Sequence, residues 1–172
     1  MEDDAAARSR HIRAWKVPAM QGEAPGLMSE LVEKASARGF QILVLRADMV
    51  FGMDHLRAAY CHAKESMDRG SSSSDSISME TLLYASGERQ LSAAIKKMSV
   101  DESTRAIVVA SLAQDGFDAQ GDWIPLADDD AEATRDRLLR FGISDQETRT
   151  VASGRAVELV LEKVAAVDIL KK

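Results

Sequence analysis

The side chains best suited to chemistry gather in His55, Cys61 and His62. Imidazole and thiolate are metal ligands, and together they can make an activated nucleophile. Their spacing argues against both roles. His55 and His62 stand seven residues apart on what reads as one helix, so they share a face but lie about 10.5 Å apart along the axis. A single zinc ion holds its ligands at about 2 Å. Cys61 and His62 are consecutive and point about 100° apart. The expectation is three inert residues on a surface or partly buried helix. The run Asp128-Asp129-Asp130 has the composition of a cation site, yet consecutive carboxylates at a helix start are ordinary dipole partners. No metal and no cofactor are expected. The sequence carries neither G-x-x-x-x-G-K-[ST] nor G-x-G-x-x-G, the loops that cradle phosphates.

Ser86-Gly87-Glu88-Arg89-Gln90 offers binding without catalysis. Gly87 allows a tight turn between two helices, and the second helix opens with free N–H groups suited to an anion. Arg89 and Gln90 add donors for a phosphate or a base edge. Arg57 and Lys64, seven apart on the preceding long helix, lie on one face. Arg57, Lys64, Gly87, Arg89 and Gln90 together make a candidate basic pocket for an unpaired RNA end, a few nucleotides rather than a duplex. Two other readings stay open. Arg89 pairs with Glu88, Glu80 or a carbonyl and the turn is structural, or the Gly87–Arg89 turn holds a phosphorylated metabolite in a small regulatory domain.

The elements that must position these residues follow from periodicity. His11 to Val17 reads as a strand ended by Pro18, and 26–38 as a helix stopped by Gly39. Phe40 to Leu45 has strand length. From Met53, Leu56, Ala59, Tyr60, Ala63 and Met67 follow the helical template. Gly70 and the serines to Ser76 read as a mobile surface loop. Short helices are expected near 78–85 and from about Gly87 to Met98. Arg105 to Leu112 is the strongest strand, and Trp123 to Leu126 an edge strand, because Pro125 cannot donate to a ladder. Asp128 to Phe141 reads as a helix ending at Gly142, and 155–170 as an amphipathic helix. The fold class is α+β, a small mixed sheet of three to five strands flanked by helices in one domain, with residues 1–10 frayed.

Length and composition agree with such a domain. The chain has 172 residues, 45% apolar and 29% charged, with aromatics at only 5%, so an aliphatic, helix-favouring core is expected. One cysteine rules out an internal disulfide. No run approaches the roughly 20 apolar residues of a membrane span, and the acidic start Met1-Glu2-Asp3-Asp4 lacks the charge of a secretory signal. A soluble, cytoplasmic protein is expected, in the nucleus also if the cell has one, with no membrane or DNA partner. Net charge is −6, but residues 101–136 hold ten acids against two bases, which leaves the rest at +2. That balance excludes a broad phosphate-tracking surface and still permits a small RNA site elsewhere.

Three blocks carry a resemblance. The first is Phe40-Gln41-Ile42-Leu43 with Ala47-Asp48-Met49-Val50, then His55-Leu56 and His62-Ala63. The second and most specific runs from Met79-Glu80-Thr81-Leu82-Leu83-Tyr84 through Ala85-Ser86-Gly87-Glu88-Arg89-Gln90-Leu91 to Ala94-Ile95. The third is the closing helix from Val157 to Asp168. Over roughly residues 38–170 the chain resembles the kinase-binding subunit of the KEOPS tRNA-modification complex. Between Leu112 and Trp123 it is shorter than that family leads one to expect. The resemblance implies a non-catalytic adaptor that binds the atypical kinase of KEOPS and engages the single-stranded CCA end of tRNA, in support of N6-threonylcarbamoyladenosine formation. RNA contact would then fall to the candidate pocket read above from residue type and spacing, Arg57, Lys64, Gly87, Arg89 and Gln90. Kinase contact falls to Val164, Ala165, Val167, Asp168, Ile169 and Leu170, where the apolar stripe widens. The stripe Val157–Val160–Leu161–Val164 is expected to face the core.

Overall fold

The structure, a computed structural model, describes residues 12–113, 116–129, 133–152 and 154–170. The expected frayed terminus and Asp130 lie outside the described residues. Strand β1 (Arg13–Pro18), helix α1 (Ala24–Ala37) and strand β2 (Ile42–Arg46) open the chain. Helix α1 starts with proline in its first turn, where the missing N–H costs nothing. Strand β3 (Ala106–Ser111) then inserts between β1 and β2, pairing antiparallel with each. The two-residue β4 (Ile124–Pro125) pairs antiparallel with β1, giving the order β2-β3-β1-β4. The expected mixed sheet is therefore antiparallel throughout. β1 and β2 run in the same direction, but β3 keeps them apart, as in a split β-α-β unit.

The chain divides into two compact units. One takes the residues up to Val50 together with Met98–Leu126, and the other Phe51–Lys97 together with Ala127–Lys172. The first is the sheet with α1 on one face. Alternate strand residues Val17, Val44, Ile107 and Val109 meet Ala24, Leu31 and Ala35 of the helix, with Phe117 closing the cluster. This is period-2 alternation against a 3.6-residue stripe.

The second unit is helical, made of α2 (Met53–Asp68), α3 (Ile77–Ser86), α4 (Leu91–Met98), α5 (Arg135–Phe141), α6 (Asp145–Thr148) and α7 (Ala156–Leu170). Helices α2, α3 and α7 pack on one another, with Ala59 and Ala63 fully buried on α2. The serine loop after Gly70 is hydrogen-bonded to its neighbours: buried Glu80 accepts the N–H groups of Ser73 and Ser74, Ser71 donates its N–H to the Ser66 carbonyl, and Ser76 caps α3. One expectation changes here. The helix expected from Asp128 begins only at Arg135, with Thr134 as its cap. The carbonyls of Ala127 and Asp128 instead accept the N–H groups of Met53 and Asp54 at the start of α2. Gly52 makes this clasp possible, because a Cβ there would stand 2.5 Å from the Asp128 oxygen.

Candidate functional site

Helix α3 ends at Gly87, whose φ of 67° places it in the left-handed region where glycine alone is unstrained. It is the C-terminal stop of α3, and α4 begins at Leu91, so Glu88, Arg89 and Gln90 form the connection. Glu88 turns inward: its N–H donates to the Ser86 hydroxyl, and its carboxylate receives Lys97 at 3.1 Å. Glu80 is occupied by the serine loop. Both acids that might have neutralised Arg89 are thus engaged elsewhere. Arg89 and Gln90 are exposed, and Arg89 pairs with no carboxylate among the described residues.

Lys97 sets this turn, and nothing in the local sequence pattern points to it. Its ammonium donates at 2.6 Å to the carbonyl of Ser86 and at 2.6 Å to that of Phe141. One cation therefore satisfies the ends of α3 and α5, where orphan carbonyls and the helix dipole favour positive charge. It also stands 4.0 Å from the Phe141 ring centroid. Burial lowers its pKa, partly offset by Glu88. On the other side of the turn the backbone of α7 passes close. A Cβ on Gly87 would lie 3.1 Å from the Cβ of Lys163.

Arg57 and Lys64 are placed differently from expectation. Arg57 is held by Asp54 at 3.0 Å and by Asp128 at 2.6 Å, a group with more negative than positive charge. Burial would lower its pKa, but these two carboxylates raise it above its usual value. Lys64 pairs with Asp68 at 2.8 Å. Neither supplies the free cationic face that a basic pocket needs, because each charge is already met locally.

The His55, Cys61 and His62 helix resolves into separate structural roles. His55 is fully buried, not on the surface. Its Nδ1 accepts the Phe51 N–H at 3.1 Å, so Nε2 carries the proton and donates to the Ala85 carbonyl at 2.8 Å. The ring thereby ties the start of α2 to the end of α3. Burial, with Lys97 and Arg137 nearby, pulls its pKa down from 6.5 to about 4. In the unfolded chain the same ring protonates near its ordinary value, so between these limits the unfolded state binds more protons. Stability is therefore complete above about pH 6.5 and falls as the pH drops towards 4, by about 3 kcal/mol. Urea unfolding between pH 7 and 5 is expected to show about 2 kcal/mol of this loss. His55→Gln, which keeps a donor and an acceptor without titrating, is expected to flatten it. Cys61 is a half-buried thiol. No group of three or more metal-ligating side chains is present among the described residues.

The closing helix divides more sharply than its stripe suggested. Val157, Leu159, Val160, Val164 and Val167 are buried, while Leu161 is only half-buried. Val164 and Val167, expected at the kinase surface, are fully enclosed and present nothing to a partner. Asp168 also turns inward. It accepts Tyr84 Oη at 2.5 Å and His62 Nδ1 at 2.9 Å, with Arg69 at 3.5 Å. Burial would raise its pKa, but Tyr84, His62 and Arg69 outweigh that and lower it. His62 stacks on Tyr84 with ring centroids 5.6 Å apart. Of the residues expected at the kinase surface, those left exposed are Ala165, Ile169 at 74% and Leu170 at 43%.

The sequence model of the family described as kinase binding protein CGI-121 matches residues 23–136, a span that contains the turn and stops before α7. No curated protein gives a match. Among the described residues, no helix is long and apolar enough to cross a membrane.

Proposed function

The chain belongs to the CGI-121 family of kinase binding proteins, and on that premise we propose that it is the adaptor subunit of a KEOPS complex. In this reading it binds the atypical kinase and holds the single-stranded CCA end of tRNA while other subunits form N6-threonylcarbamoyladenosine. The observation that carries the RNA half is the Ser86–Gln90 turn. Gly87 and Lys97 fix it, Glu88 is drawn inward, and Arg89 is left exposed with no carboxylate partner among the described residues. A single cation beside adaptable donors suits a splayed RNA end, which offers few phosphates and open base edges. The kinase half rests on Ala165, Ile169 and Leu170, apolar surface at the end of a helix whose other face is core.

Binding of tRNA before and after removal of its CCA end tests the first half. Affinity is expected to disappear with the CCA end. Arg89→Glu is expected to weaken binding at nearly unchanged melting temperature, because exposed charge changes cost under about 0.5 kcal/mol. The salt dependence of the wild type should be shallow, on the order of one to three ions released. Arg89→Glu binding as well as wild type would make the turn purely structural.

A further inference from the structure

Lys163 belongs to the closing helix, far in sequence from Ser86–Gln90, yet its backbone lies against Gly87. Its side chain is 38% exposed, and its Nζ meets Glu147 Oε1 at 2.8 Å. An ammonium has three donors, and this contact uses one. Glu147 is held from its other side. It is the third residue of α6 and closes that helix's capping box, and its Oε2 accepts the N–H of Ser144 at 2.8 Å and the Ser144 hydroxyl at 2.7 Å. Lys163 and Ser144 together keep the Glu147 carboxyl down at about 2, so the carboxylate is charged at any working pH. The carboxylate is fixed by its own helix, whereas the lysine is a flexible cation leaning from α7 beside the turn.

We propose that Lys163 is a second phosphate-contacting residue at the Gly87 turn, and that Glu147 holds it in reserve until an RNA phosphate displaces the carboxylate. This rests on the reading of the turn as an RNA site. It extends that site from the α3–α4 connection to α7, the helix that also carries Ile169 and Leu170. Glu147 then acts as a competitor for the cation, which sets a threshold that weak anions do not pass.

The competition gives two substitutions opposite signs. Lys163→Ala removes a charge-assisted hydrogen bond and is expected to weaken binding of intact tRNA about tenfold. It should also reduce the salt slope by about 0.7. Glu147→Gln keeps the capping box, which accepts glutamine as well as glutamate, but releases Lys163. It is expected to tighten binding about two- to fivefold. A merely structural pair would give losses in both. Melting temperatures are measured alongside, with Arg89→Glu and CCA-trimmed tRNA as controls. If both variants bind like wild type while Arg89→Glu loses tRNA, the role of Lys163 is overturned and the turn remains the site. If the two variants shift in opposite directions but neither CCA removal nor Arg89→Glu matters, Lys163 contacts RNA and the CCA reading falls. If wild type does not bind tRNA, both fall.

Discussion

Val164→Asp is expected to unfold the helical unit, whereas Ile169→Asp is expected to abolish co-purification of the kinase at an unchanged melting temperature. The two positions lie five residues apart on α7 and differ in what surrounds them. Val164 is fully buried, so a carboxylate there loses its water and gains no partner. That costs several kcal/mol against a total stability of about 5–15 kcal/mol for a typical domain. Ile169 is 74% exposed, and an aspartate there stays hydrated in the free protein. Its cost arises only when a partner covers it. Thermal melts and a pull-down of the co-expressed kinase read the two effects separately. Equal losses of melting temperature would place the end of α7 in the core and move the kinase to another face.

Lys97→Met should produce the second large effect. Methionine keeps the apolar stem against Phe141, so the substitution isolates the ammonium. The carbonyls of Ser86 and Phe141 lose their shared donor, and Glu88 loses its cation. Removing one member of such a mostly buried group costs about 3–5 kcal/mol. The turn should loosen at the same time, lowering tRNA affinity although Lys97 itself is mostly covered. Lys163→Ala provides the contrast, with affinity reduced and stability kept. A Lys97→Met protein that melts like wild type would show that Gly87 alone fixes the turn.

Periodicity made most of the fold legible. The burial of β2 and β3, the start of α2 at Met53 and the edge placement of Pro125 all follow from residue type and spacing. The break came at Asp128, where acids suggested a helix N-terminus. The carbonyls of Ala127 and Asp128 are used instead to cap α2, a tertiary contact with no local signature. The small helix α6 was visible in principle, since Ser144 and Glu147 have capping-box spacing. The candidate site was half legible. Gly87 and Arg89 stand together in sequence, whereas Lys97 reaches Ser86 and Phe141 across 11 and 44 residues. Charge alone did not show that Arg57 and Lys64 each have a carboxylate partner, because a sequence counts cations without placing the acids beside them. The widening of the α7 stripe failed for a similar reason. Val164 and Val167 continue the core spacing, and only Ala165, Ile169 and Leu170 lie off it.

The insertion of β3 between β1 and β2 has a consequence for synthesis. As the chain emerges from the ribosome, β1 and β2 appear first and have no partner in each other. The helices from Met53 to Met98 follow, rich in local contacts that form quickly. Only when Ala106–Ser111 emerges can Arg13 find Ser111 and Ile42 find the same residue from the other side. Until then Ile42-Leu43-Val44-Leu45, a short uncharged run of high β-propensity, stays unpaired while residues 47–105, about a third of the chain, are made. Such an interval invites wrong pairing between nascent chains. The protein's most vulnerable moment is thus set by strand order, and slower translation between β2 and β3 lengthens it.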